Sequence, residues 1–84
     1  MNHIRAYEKI IELYEENGVD YSVMKFIYRF YVYHCGLLLE YAKKIGDDEK
    51  IDKLKENIVK YLDTYRETNE EWPNRIDWIE SLMN

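Results

Sequence analysis

Between Gly18 and Gly46 the chain carries one glycine and no proline, and its apolar residues recur every three or four positions. That period over that length specifies a helix, expected at about residues 21–45. Asp20 or Ser22 is placed to cap its first amides, and Gly46 to end it. Set out at about 100° per residue, its apolar arc covers roughly 240°, against the ~100° that a peripheral helix usually buries. The polar stripe holds Ser22, Lys25, Arg29, Glu40, Lys43 and Lys44, and is interrupted by Val32, Tyr33 and Gly36. Opposite it lie Met24, Ile27, Tyr31, His34, Leu38, Ala42 and Ile45, flanked on one side by Phe26, Phe30 and Leu37 and on the other by Tyr21, Tyr28 and Leu39. A helix this apolar is either wrapped by its neighbours or keeps one side for a partner.

The rest of the chain supplies the neighbours. Ile4, Tyr7, Ile10, Ile11, Leu13 and Tyr14 predict a first helix over about 4–17, stopped by Asn17-Gly18. Asp47-Asp48-Glu49 open a third, over about 48–68, where the helix dipole favours carboxylates. Its apolar stripe is Ile51, Leu54, Ile58, Tyr61, Leu62 and Tyr65, and it is expected to fray through Thr68-Asn69-Glu70-Glu71. Pro73 suits the first turn of a short last helix over about 74–83. No strand pattern appears. The fold expected is all-α: a compact three- to four-helix bundle, one domain over residues 1–84, with a central, mostly apolar second helix.

Charge narrows the partners. The net charge of −5 opposes the clustered basic surface that nucleic acid requires, so no direct nucleic-acid binding is expected. Only residues 19–46 have a basic excess, with four cations against two carboxylates. The start has no signal pattern and no apolar run approaches a membrane span. A lone cysteine, Cys35, points to a reducing, cytoplasmic setting.

The residue types on the second helix point to protein contact. Tyrosine and arginine bury large area while keeping a polar tip, which interfaces favour. Gly36 disfavours a mid-helix position by roughly 1 kcal/mol relative to Ala, which a close approach by another backbone would explain. The partner-binding surface read from these residues is Tyr21, Lys25, Tyr28, Arg29, Val32, Gly36 and Leu39, and the partner is another protein, with a second copy of the chain as one candidate.

Catalytic chemistry finds little support. His3, His34 and Cys35 lack metal-site spacing, no cofactor motif is present, and the paired carboxylates sit at helix ends. Cys35 reads as a buried thiol, and His34 as a core histidine bonded to a neighbouring tyrosine or backbone group. The run Arg29-Phe-Tyr-Val-Tyr-His34 nevertheless resembles the Arg-x4-His spacing of the HEPN ribonucleases, with Phe30 where that family carries a polar residue. The resemblance implies a ribonuclease using Arg29 and His34 across a dimer, because the two point about 140° apart on one helix. The leading expectation is a non-enzymatic inhibitor or regulator that occupies a partner's surface, of the phage-inhibitor, immunity or antitoxin kind by class association alone. A variant assigns that work to acidic helix 3, with Asp47, Asp48, Glu49, Asp52, Glu56 and Asp63 covering a basic surface of an enzyme. A structural assembly subunit is the remaining alternative.

Overall fold

A computed structural model describes residues 2–84, with side chains described from Ile4 onward; His3 lies outside them. Five helical segments follow one another: α1 (Asn2–Glu16), α2 (Tyr21–Ile45), α3 (Asp48–Lys60), α4 (Leu62–Thr68) and α5 (Pro73–Met83). The chain is the all-α bundle expected, and α2 packs against every other helix.

Local chemistry sets the ends of α2. The Asp20 side chain accepts from the Ser22 amide at 3.3 Å and also from its hydroxyl, so Asp20 is the cap. At the far end Gly46 takes the left-handed conformation (φ 71°), and the Asp47 amide closes the turn onto the Ala42 carbonyl at 3.0 Å. A residue with a Cβ would be strained there. Asp47 then caps α3 by accepting from the Lys50 amide.

Two expectations for the third helix need correction. It breaks at Tyr61 (φ −125°, ψ 16°), into α3 and α4, although neither glycine nor proline is present. Tertiary packing accounts for the break: Tyr61 stacks on Tyr28 with centroids 4.4 Å apart and meets Tyr31 edge-on at 5.7 Å. Offset and edge-to-face ring pairs add about 0.5–1.5 kcal/mol beyond buried area. The segment after Thr68 does not fray. Asn69 is fully buried; its amide nitrogen donates to the Tyr65 carbonyl at 2.8 Å, and its own carbonyl accepts from the Trp72 amide. That clamp reverses the chain into α5, with Pro73 at its first turn.

The core gathers Ile4 and Ile11 from α1, Met24, Tyr31, Val32, Cys35, Leu39 and Ala42 from α2, Leu54 and Ile58 from α3, Tyr65 from α4, and Ile79 and Leu82 from α5. Around α2 the other helices occupy defined sectors. α1 runs antiparallel beside it, with Glu15 accepting from the Tyr28 hydroxyl at 2.9 Å and Tyr7 stacked on His34 at 5.1 Å. α4 is tied to its first half, where the Tyr21 hydroxyl reaches Thr64 and Glu67 and Arg29 donates to the Thr68 carbonyl. α5 lies along its second half, where Trp78 donates to Glu40 at 3.1 Å and Lys43 to the Asn84 carbonyl at 3.3 Å. Arg29, Glu40 and Lys43 of the polar stripe of α2 therefore serve as bonding partners for α4, α5 and Asn84, while Ser22 and Lys44 stay exposed. Among the described residues no helix is long and apolar enough to cross a membrane.

Candidate functional site: the open face of α2 and its cleft

Three of the seven residues of the surface read from the sequence are buried. Val32 and Leu39 are 0% exposed and Gly36 is buried. Tyr28 is pinned between Glu15 and Tyr61, and Tyr21 between Thr64 and Glu67. Lys25 and Arg29 are half-buried at its edge. The close approach at Gly36 is real, but α5 side chains make it: a Cβ there would stand 2.6 Å from Trp78 Cη2 and 2.7 Å from Ile79 Cδ1. The stretch Tyr28, Val32, Gly36 and Leu39 is thus corrected to an internal contact, because α3, α4 and α5 pack on that flank, while Tyr21 at its end stays 48% exposed.

The other flank is left open. Val23, Phe26, Phe30, Tyr33, Leu37 and Tyr41 are each 41–62% exposed. From Val23 to Leu37 they step by three, four, three and four, which at helical pitch places them in one seam on the side of α2 opposite Met24, Cys35 and Ala42. Ile10 and Tyr14 of α1, on the same side of that helix as Tyr7, are exposed next to it. Taking an aromatic side chain at 150–250 Å², the half-exposed seam amounts to on the order of 400 Å² of apolar surface, the size of patch that marks an interaction site.

Midway along the seam lies a cleft of about 620 Å³. Its floor is Phe30 and Tyr33, flanked on α2 by Arg29 on one side and His34 on the other. Tyr7 of α1 closes one wall; Tyr65, Asn69, Asn74, Arg75 and Trp78 form the other. Five aromatic rings, two guanidinium groups, one imidazole and two amides line it, with no carboxylate. Among the described residues neither Arg29 nor Arg75 has a salt-bridge partner. Arg29 rests against the Phe26 and Phe30 rings at 5.9 and 5.4 Å, and Arg75 lies over the Trp72 ring at 4.6 Å while its Nη1 reaches Asn69 Oδ1 at 3.4 Å. Burial raises the Tyr65 phenol above its usual range, and the charges of Arg75 and Arg29 partly offset that rise. Two cations therefore converge on one side of an aromatic cleft in a chain of net charge −5.

Arg29 and His34 share this cleft within one chain, so no second subunit is needed to bring them together. The angle between them on the helix is spanned by Phe30 and Tyr33, which form the floor. His34 is packed among rings, stacked on Tyr7 and edge-on to Tyr33 at 5.4 Å. Cys35 is fully buried, and burial pushes its thiol up to about 12, which leaves it protonated and unreactive at neutral pH. The acidic face of α3 is exposed but interleaved with Lys50, Lys53 and Lys55, one of which pairs with Asp47 at 3.8 Å.

Helical periodicity gives α2 two apolar flanks, and the one with Tyr28, Val32 and Leu39, expected at the interface, is the one that the fold covers. The 3-4-3-4 spacing from Val23 to Leu37 was the available signal for the other. Nothing local marks Arg75, Asn69 or Trp78 as partners of that face, since the turn at Asn69 brings them there. Comparison of the chain with protein families, with curated proteins and with solved structures finds no match.

Proposed function

We propose that this chain is a non-enzymatic protein-binding module that docks through the open face of α2, and that in isolation two copies close this face against each other. The exposed seam from Val23 to Tyr41 is the observation that carries the reading. Its alternating three- and four-residue steps are those with which one helix meets another, and the same seam on a second copy is complementary across a two-fold axis. Desolvating half-exposed Phe and Tyr side chains is the main source of affinity at such contacts. In this role the chain acts as a regulator or inhibitor by occupying a surface.

Solution mass measured from micromolar to millimolar concentration tests it. A dimer is expected, with Phe30→Asp and Leu37→Asp each shifting the chain to monomer while leaving its helical content unchanged. A chain that stays monomeric throughout, or a dimer indifferent to both substitutions, overturns the reading. Larger particles of regular size would support the assembly-subunit alternative instead.

A ribonuclease reading has one observation in its favour, the shared cleft of Arg29 and His34. Against it stand the acidic balance of the chain and the packing of His34 among rings. RNA cleavage by the native chain that disappears in His34→Ala would establish it.

A further inference from the structure

The cleft has a composition that docking alone does not require. A face built only to meet another helix needs apolar area and a polar rim; here two guanidinium groups with no carboxylate partner converge on an aromatic floor. We infer that the cleft binds a small nucleotide, a planar base lying against the rings of Phe30, Tyr33 and Trp78 with its phosphate held by Arg29 and Arg75.

Each part of that ligand answers a feature of the site. Aromatic faces stack with any base, at about 1–3 kcal/mol per base in single-strand binding proteins. Guanidinium groups match phosphate oxygens in pairs. Arg29 commits one nitrogen to the Thr68 carbonyl and Arg75 one to Asn69 Oδ1, which leaves the remaining N–H groups of each for a phosphate. Asn74 and Arg75 stand in the first turn of α5, an eleven-residue helix whose dipole adds to the attraction for an anion. Asn74 offers an exposed amide group for a base edge or ribose, while buried Asn69 holds Arg75 in place through its Oδ1. The volume of about 620 Å³ is within the range of small-molecule sites, roughly 300–1,000 Å³. The net charge of −5 favours a free nucleotide over a strand, whose further phosphates would meet repulsion beyond the two arginines. Because Phe30 and Tyr33 belong both to the cleft and to the seam, an occupied cleft and a closed seam compete for the same side chains.

The site rests on the cleft and not on the docking reading. Calorimetric titration with each of the four ribonucleoside monophosphates, with adenosine and with inorganic phosphate tests it. At least one monophosphate is expected to bind once per chain. Adenosine and phosphate alone are each expected to be weaker by about tenfold or more. Arg29→Gln and Arg75→Gln should each weaken binding by a similar factor, while Lys44→Gln, outside the cleft, leaves it unchanged. Leu37→Asp, which opens the seam without lining the cleft, is expected to bind the nucleotide at least as tightly as the native chain, so failure of pairing and failure of this site are told apart. The inference is overturned by the absence of saturable binding of all four monophosphates to the Leu37→Asp chain, in which pairing does not cover the cleft. It is overturned equally by affinity unmoved in both arginine variants, by phosphate alone binding as well as the nucleotide, or by a phosphorylated RNA strand binding far more tightly than any monophosphate.

Discussion

Leu37 and Leu39 are two residues apart on the same helix, and one is 41% exposed while the other is wholly buried. The difference holds along both sides of α2. Tyr28, Val32, Gly36 and Leu39 are met by α3, α4, α5 and the end of α1, whereas Phe26, Phe30, Tyr33 and Leu37 face outward between α1 and α5. The two sides have similar composition, each with aromatic and aliphatic residues at helical spacing. What separates them is the path of the rest of the chain: the Gly46 turn, the break at Tyr61 and the Asn69 clamp deliver three helices to one side. An apolar flank of a helix is thus core or docking surface according to where its neighbours can reach.

The sharpest way to break this comparison is to truncate the same residue type on each side. Leu39→Ala removes fully buried atoms and is expected to destabilise the fold by about 2–5 kcal/mol in urea unfolding. If the chain tolerates it, the buried flank is misassigned. Gly36→Ala comes next. Better helix propensity contributes about 1 kcal/mol, but the new methyl meets Trp78 and Ile79, and overpacking of that kind costs about 1–3 kcal/mol. A net loss of about 1 kcal/mol is expected, read as a drop in Tm of roughly 4–8 °C. A gain in Tm would mean that α5 does not press on α2 there.

Alkaline pH gives a smaller, graded test of the buried flank. Desolvation first, then the bond to Glu15, raises the Tyr28 phenol to about 12 from an ordinary value of 10. A raised folded-state value means that the protonated phenol is favoured by folding. Its contribution is therefore complete below pH 10 and is lost as pH rises from there through about 12. Tyr61 on the same flank, and Tyr65 in the wall of the cleft, shift in the same direction, chiefly by burial. Unfolding followed against pH should show stability falling over that window, and Tyr28→Phe should lessen the slope. Leu37→Ala closes the series with the smallest effect. Measured where the chain is monomeric, it should change stability by no more than about 0.5 kcal/mol, as for an ordinary surface site. A loss as large as that of Leu39→Ala would erase the distinction between the flanks.

The helices themselves were legible because their signals are local. Asp20, Gly46, Asp47 and Pro73 act on amides and dihedrals within a turn of themselves, and they stand at ends of helices in the structure. Tyr61 was not legible as a break, since its preference for Tyr28 and Tyr31 is expressed only across helices. Asn69 likewise looked like part of a polar, fraying segment, and its burial follows from bonds to Tyr65 and Trp72 that exist only once the chain has turned. For the candidate site, spacing relates Arg29 to His34 within the sequence, while only the fold joins Arg75 and Trp78 to them.

Sequence alone therefore determined that this protein is helical, where most of its helices begin and end, and that its second helix is too apolar to need only one buried side. Tertiary structure decided which side that is. Helical periodicity specifies which residues share a face, but the face that is covered depends on turns and crossings made elsewhere in the chain. Here these enclose Tyr28, Val32 and Leu39 and leave Phe30, Tyr33 and Leu37 to solvent.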